Sequence, residues 1–577
     1  MKAFSSRHPH LPLLLIWLVA TAFNLLKAVH IDDTIYLEIA RWITVSPLHP
    51  MVGRVNWVNT LEPISQISSS PLLFVYALAA VVRVFGESEI ALHGLMALLT
   101  GVCIWSFYYL ATLLRIRDKM ALTAMLALGP ALLPSQNLML DVPLVAFSLL
   151  FFWALLASYE ASSRRQTVLL LLAGLAAGAG ALTKYPGLIL IPLLLVYVVA
   201  TGQFARAWVI LIPVSLFGGW CAFNVFDYGG VHVLQTNNGS VGAGSVGGSI
   251  HLYRLAGLPL LQLPGRVLDG LMCLGATSPF TLLGLLYLMQ GRRRRYGLFA
   301  VAAIAVLSFI VTFVFQGEDL VPALLRVSFL SCALVLVLVL GHSVWRSKAK
   351  NAPERSPQER ALPPVFRTML LWWLALSSCF VLLLVPFMAV RHVLTLVPVM
   401  LLLLGVYVFP HVSRRSVFWT TMITGIVGAW LGAGDWQMAN CARVEASRIR
   451  SALPESAHIY FVGHWGWQWY AGKNGMRQYD LQTTQLMTGD YLVAPHIIGA
   501  VPISARYGPY LKPVRDFAYS PPSSFLPRTV SSQANFYGGG WNPLPWTLSS
   551  GPLETFTVFQ VTPTPEQHPV GHLGAKG

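Results

Sequence analysis

Two adjacent aspartates, Asp32 and Asp33, follow directly after the first apolar stretch of the chain. An acidic side chain at the start of a helix accepts hydrogen bonds from free backbone N–H groups and meets the positive end of the helix dipole, so capping alone would explain one of the two. A positioned carboxylate can also act as a general acid or base. Because acidic side chains are costly beside a bilayer, we treat the pair as a candidate catalytic centre. Glu38 and Arg41, at i,i+3 spacing in the same predicted helix, are expected to form an ion pair.

Further candidates lie at the ends of later apolar stretches. Lys184 ends one such stretch shortly before Pro186, and Arg391 and His392 lie between two others. Cations at a membrane boundary either extend toward water or bind an anionic lipid headgroup, and the residues alone leave both open. Asp141 begins an apolar stretch just before a proline, which suits a helix N-terminus as well as an active site.

One cation, Arg326, lies inside an apolar stretch. An unpaired cation at that depth costs several kcal/mol, so its side chain is expected to face the interior of a helix bundle or a wet cavity. Two interpretations stay open, an ion pair with Glu318 or Asp319 and recognition of a phosphate.

The composition is typical of a polytopic membrane protein. Of 577 residues, 55% are hydrophobic and 11% charged, and the mean hydropathy is +0.62, which lies outside the range of soluble domains. The net charge of +16 comes from short basic clusters between apolar stretches, so it indicates membrane topology, and we expect no nucleic-acid partner. Six cysteines without a CxxC pair predict neither a disulfide framework nor a zinc site.

The apolar stretches predict an α-helical transmembrane domain over residues 1–434, with about thirteen helices of about 20 residues each. No small-residue cleavage site precedes the acidic loop, so we expect the first stretch to remain as an anchor. Residues 71–85 decide the sidedness of every later loop. If this segment lies along the membrane, the basic loops are all cytoplasmic, as the positive-inside rule favours, and the acidic residues share the opposite face. We adopt that topology, which gives a first outside loop over 30–88 with an amphipathic helix at about 33–45.

Two other regions are predicted outside the membrane. The segment 227–266 is rich in Gly and Ser, and either connects helices flexibly or closes over a ligand. Residues 435–577 are expected to form a small extracytoplasmic α/β domain with strands near 459–462 and 556–561 and a disordered tail after about residue 562. Its aromatic run at 463–470 either packs in a core or stacks on sugars, and we favour packing.

The acidic motif resembles that of a known enzyme class. The sequence Asp32-Asp33-Thr34-Ile35-Tyr36 is similar to the acidic motif in the first outside loop of the GT-C class of lipid-linked-sugar glycosyltransferases, among them the aminoarabinose transferase of lipid A and the protein O-mannosyltransferases. Motifs at 85–89, 140–143, 182–187 and 391–394 follow in the order of that class. The chain departs from it at Asp33, where Glu is common, and at His93, where Arg is usual.

The resemblance implies transfer of a hexose or pentose from a polyprenyl-phosphate donor to a lipid, glycan or protein acceptor, with inversion, on the extracytoplasmic face of the plasma (inner) membrane. It implies no cofactor and leaves a divalent cation open. Asp32 would be the general base, and Asp33 and Asp141 would lie in the active site. The residues implied in substrate binding are Glu38, Lys184, Tyr185, Arg326, Arg391 and His392. The alternatives are a transporter or flippase of lipid-linked substrates and a catalytically inactive assembly subunit.

Overall fold

The computed structural model describes residues 9–57, 59–235, 263–314, 319–348, 356–385, 387–501, 503, 507–538 and 543–562. Helices dominate the first part of the chain because its apolar stretches are long and rich in Leu, Ala and Val. The α-helices before residue 453 are α1 His10–Ala22, α2 Asp33–Val45, α3 Ile64–Ile67, α4 Leu73–Phe85, α5 Glu89–Leu113, α6 Lys119–Ala127, α7 Asp141–Tyr159, α8 Ser163–Thr183, α9 Leu190–Thr201, α10 Leu211–Tyr228, α11 His232–Gln235, α12 Leu263–Ala276, α13 Thr281–Leu288, α14 Arg294–Val314, α15 Leu320–Lys348, α16 Pro357–Ala361, α17 Pro364–Leu383, α18 Val390–Val393, α19 Val397–Tyr407 and α20 Arg414–Ala452.

Within the described residues, seven helices are long and apolar enough to cross a membrane, or eight if α12 and α13, which are bent by 96° at their junction, form one span. The protein is therefore a helical integral membrane protein. The count of about thirteen stays a prediction, because several apolar stretches form shorter helices. Tyr185–Thr201 is one of these, and its first turn, Tyr185–Ile189, is a 3₁₀-helix.

The segment 30–88, which is the predicted first outside loop, contains the amphipathic helix that the sequence predicts, because α2 begins at Asp33 and ends at Val45. Helix α4 packs against α2 through Phe74, Val75 and Leu78. Its 13 residues give a length of about 20 Å, shorter than a hydrocarbon core of about 30 Å. That length suits an in-plane helix, and the sidedness built on it stays a prediction.

Helix α20 has 39 residues, a length of about 58 Å, so it extends well beyond the thickness of a bilayer. Its end leads into a mixed sheet of five strands in the order β4-β3-β5-β7-β6. Strand β3 pairs in parallel with β4 and β5, whereas β7 pairs antiparallel with β5 and β6. The β-strands and the last α-helix are β1 Arg54–Asn56, β2 Leu61–Pro63, β3 Ile459–Phe461, α21 Trp465–Lys473, β4 Arg477–Gln478, β5 Tyr491–Pro495, β6 Leu511–Tyr519 and β7 Glu554–Val561.

We refer to residues 453–562 as the C-terminal domain. The aromatic run predicted to pack does so, since Trp467 and Trp469 of α21 are buried. Much of the Gly- and Ser-rich segment, 236–262, lies outside the described residues, as do Glu318 and the tail after residue 562.

Candidate active site

An ion pair joins the first outside loop to a turn far along the chain. Asp32 lies directly before the first residue of α2, and Arg391 lies on the short helix α18. The Arg391 Nη1 atom donates to Asp32 Oδ2 at 2.7 Å, and both side chains are less than a tenth exposed. A buried charge pair at this distance, between residues 359 positions apart, requires the two segments to be held together by tertiary packing.

A second ion pair lies beside the first. Asp141 is the first residue of α7, and Lys184 follows directly after the end of α8. Lys184 Nζ donates to Asp141 Oδ1 at 2.7 Å, and these side chains are also less than a tenth exposed. Arg391 interacts electrostatically with both carboxylates, those of Asp32 and Asp141, so the two pairs form one cluster.

Three members of this cluster, Asp141, Lys184 and Arg391, line a cleft between the helices. His392, next to Arg391 in the chain, lines the cleft as well. The rest of the cleft is mainly apolar, with Leu144, Ile189, Trp373, Phe380, Val381 and Val385 among its walls. The cleft therefore combines paired charges with apolar walls, an arrangement suited to an amphiphile with a charged headgroup.

The charge states in the cluster follow from burial and from neighbouring charges. Burial alone would lower the pKa of Arg391, but the carboxylates of Asp32 and Asp141 outweigh it and raise the pKa above its usual range. The pKa of His392 lies well below its usual value, because of burial and because Lys184 and Arg391 are close. The His392 ring is therefore neutral at physiological pH. With two cations and two carboxylates the cluster has little net charge.

Three predicted residues lie elsewhere. Asp33 is fully buried and accepts a hydrogen bond from His30 N at 2.9 Å, so it holds the turn that precedes α2. Burial raises the pKa of the Asp33 carboxyl well above its usual value. The Tyr185 hydroxyl lies 2.6 Å from Nδ1 of His232, whose Nε2 lies 2.9 Å from Ser68 O. Arg326 is buried in α15 and is not among the residues that line the cleft.

Glu38 belongs to an outer ionic network. The predicted pair with Arg41 is present, with Nη1 of Arg41 2.8 Å from Glu38 Oε1. Arg41 also pairs with Glu87 at 2.5 Å, and Glu87 with Lys473 of the C-terminal domain at 3.3 Å. The Arg41 guanidinium lies 4.2 Å from the ring centre of Trp469. This network joins the first outside loop to the C-terminal domain, away from the cleft.

The structure adds cleft residues that the sequence did not single out. Trp373 and Ser377 on α17 line the cleft, and the Trp373 ring stacks on Phe152 at a centroid distance of 3.8 Å. The spacing of Trp373, Ser377 and Phe380 along α17 places them on one helix face, a signal that was readable in the sequence. Tyr36 of the acidic motif does not line the cleft; it is buried one turn into α2, and burial together with Asp32 raises the pKa of its hydroxyl above the usual range.

Residues 69–226 match the sequence model of the family described as dolichyl-phosphate-mannose-protein mannosyltransferase. The resemblance to the GT-C glycosyltransferases is confirmed. The matched region includes Asp141 and Lys184, with the helices that carry them. In a comparison with curated proteins, nothing matched the chain.

Solved structures similar to this chain include two enzymes. The oligosaccharyltransferase of Archaeoglobus fulgidus with a tethered acceptor peptide is 12% identical, with a TM-score of 0.45 over 83% of this chain and 64% of that chain. The chain thus spans just under two thirds of that enzyme's length. The same enzyme, AglB, in complex with an inhibitory peptide and a dolichol-phosphate is 14% identical, with a TM-score of 0.43 over 82% and 64% of the two chains. ArnT from Cupriavidus metallidurans bound to undecaprenyl phosphate is 14% identical, with a TM-score of 0.34 over 83% and 91%.

Among the described residues, no group of three or more His, Cys, Asp or Glu side chains is arranged to hold a metal ion.

Proposed function

We propose that this protein is a membrane glycosyltransferase that moves a sugar from a polyprenyl-phosphate donor to an acceptor hydroxyl or amine on the extracytoplasmic face. The observation that carries the proposal is the cluster of two ion pairs, Asp141 with Lys184 and Asp32 with Arg391, of which Asp141, Lys184 and Arg391 line a mainly apolar cleft. The family match over 69–226 supports a phosphate-linked sugar as donor.

In this proposal the donor phosphate binds Lys184 and Arg391, and the prenyl chain lies along the wall formed by Trp373 and Phe380. A phosphate that takes over the guanidinium of Arg391 releases the Asp32 carboxylate from its ion pair. Arg is suited to such an exchange because its planar fork binds carboxylate and phosphate in the same way. Donor binding would thereby prepare the base.

The Asp32 carboxylate then takes the proton of the acceptor O–H or N–H. The acceptor atom forms a bond to the anomeric carbon as the bond from that carbon to the phosphate oxygen breaks. The configuration at the anomeric carbon is therefore inverted, and polyprenyl phosphate leaves. The leaving phosphate gains negative charge, which Lys184 and Arg391 stabilise because they are already in place. A positioned base contributes about 10² to 10⁴-fold.

The test is transfer by purified protein in proteoliposomes, with a panel of polyprenyl-phosphate hexoses and pentoses and a lipid extract as acceptor. Asp32→Asn is expected to lower the release of polyprenyl phosphate by at least about 10²-fold, with an unchanged elution profile. Asp516→Asn, on an exposed strand of the C-terminal domain, is the matched control and should retain full activity.

Undiminished transfer by Asp32→Asn would remove Asp32 as the base. A transporter or flippase is the second candidate, since it also needs charged groups inside a bundle. Movement of an intact labelled donor lipid across the bilayer without transfer would favour that function.

A further inference from the structure

Asp32 and Arg391, which form an ion pair, each lie on a short turn. We propose that the C-terminal domain fixes the distance between these two residues. The domain would then be a positioning element of the active site. This inference rests on the proposed function, because it concerns the geometry of Asp32 and Arg391.

The first contact is between α21 and the segment that leads to Asp32. The Thr34 hydroxyl donates to Trp465 O at 2.7 Å, and Val29 N donates to the Tyr470 hydroxyl at 3.0 Å. Gly466 lies so close to this segment that an added Cβ atom would be 2.3 Å from Val29 O. The helix and the turn that holds Asp32 are thus in direct backbone contact.

Backbone strain occurs on both sides of this contact. Ile31, directly before Asp32, has a φ of 47°, and Trp465 has a φ of 61°. A β-branched or bulky residue in this region is strained and persists only where the surroundings hold it. The contact with α21 supplies such surroundings for Ile31.

The second contact is made by two adjacent residues of the C-terminal domain. Phe536 O accepts a hydrogen bond at 3.2 Å from Val390 N, directly before Arg391. The Tyr537 ring packs edge-on against His30, with a centroid distance of 5.6 Å and an interplanar angle of 82°. Phe536 and Tyr537 therefore touch both turns at once.

A buried polar network holds the Tyr537 hydroxyl. Its hydroxyl donates to Asp435 at 2.8 Å and accepts from Asn137 at 2.7 Å. Lys27 donates to Asp435 and, at 2.5 Å, to Asn137. The network includes Asp435 of α20, Asn137 of the loop before α7 and Lys27 of the segment between α1 and α2, so the position of Tyr537 is fixed relative to the membrane helices.

The test uses two glycines of α21. In Gly466→Ala the new methyl group pushes α21 away from Val29, whereas at Gly472 an added Cβ meets nothing within 4 Å. Because a misplacement of about 1 Å can cost about 10²-fold, we expect Gly466→Ala to lower kcat by about 10 to 100-fold. KM for the donor should stay within about twofold, since Asp141 and Lys184 are not on this contact. Gly472→Ala should match the wild type in both constants.

A second variant covers the case in which Gly466→Ala fails to fold. Thr34→Val removes the hydrogen bond to Trp465 and keeps the shape of the side chain, and should lower kcat about tenfold, the equivalent of one hydrogen bond. Thr34→Ser keeps the hydroxyl and should restore turnover. A loss that follows the folded fraction, with wild-type turnover per folded molecule, would overturn the positioning role.

The two proposals fail in different ways. If Asp32→Asn abolishes transfer while folded Gly466→Ala and Thr34→Val both turn over normally, the positioning role is wrong and the proposed function stands. If Asp32→Asn transfers normally, Asp32 is not the base, and its placement by the C-terminal domain has no catalytic meaning.

Discussion

The ion pair between Lys184 and Asp141 predicts that a double variant lacking both charges will regain stability without regaining activity. At 2.7 Å and an effective dielectric constant of about 20, the Coulomb attraction is about 6 kcal/mol, most of which offsets the desolvation of both groups. Lys184→Met leaves the Asp141 carboxylate buried and without this partner. Breaking a buried pair in this way costs about 3–5 kcal/mol, and the proximity of Arg391 to Asp141 favours the lower end.

The double variant Lys184→Met with Asp141→Asn has neither charge. We expect it to recover at least about 2 kcal/mol of the loss in unfolding free energy, since contacting residues couple by up to about 3 kcal/mol. Transfer should stay low in the double variant, because the cation that would bind the donor phosphate is absent. Unfolding by denaturant titration in detergent micelles, followed by tryptophan fluorescence, measures the stabilities, and release of polyprenyl phosphate measures the activity.

Lys473→Met is the matched control, because Lys473 pairs with Glu87 at 3.3 Å on an exposed surface. Its cost should be below about 1 kcal/mol. A double variant as unstable as Lys184→Met alone would refute the reasoning, since the orphaned charge would then not be the source of the loss. Full transfer by the double variant would show that Lys184 does not bind the donor.

Two further predictions concern the parts outside the cleft. Burial lowers the pKa of His464 to about 4 from 6.5, so the unfolded chain binds its proton first as the pH falls. The unfolding free energy should therefore decrease between about pH 6.5 and pH 4, by up to about 3 kcal/mol from this group, and a pH series should show a smaller decrease for His464→Gln. For the topology, single cysteines at exposed Gln66 and Ser88, in a chain without its native cysteines, should react with an impermeant thiol reagent from the same side. Labelling from opposite sides would mean that α4 crosses the membrane.

Local pattern determined much of the fold. The length and composition of the apolar stretches predicted a helical membrane protein, and the period of the 33–45 segment predicted α2 almost residue by residue. The number of spans stays a prediction, because a stretch such as 186–202 is apolar throughout and yet forms a 3₁₀ turn and then a helix of 12 residues. Hydropathy measures the environment of a segment, not its backbone path.

The acidic and basic candidates at the membrane boundary were likewise readable from residue type, because charge beside a bilayer is rare and costly. Residue type did not show which of these candidates lie in contact with one another. Asp32 lies in the cleft cluster through Arg391, while its neighbour Asp33 turns to the backbone of His30. Adjacent residues on a helix start point in different directions, and the sequence alone does not say which direction faces the cavity.

The sequence by itself thus determined that the protein lies in a membrane, that its membrane domain is helical, and which groups are able to do acid–base and phosphate chemistry. The tertiary structure alone decided that Asp32 pairs with Arg391, that Asp141 pairs with Lys184, and that Phe536 of the C-terminal domain lies against the Arg391 turn. The physical reason is range. Propensity and hydropathy act over a few residues, whereas a pair 359 positions apart forms only when the packing of many helices brings both turns to one place.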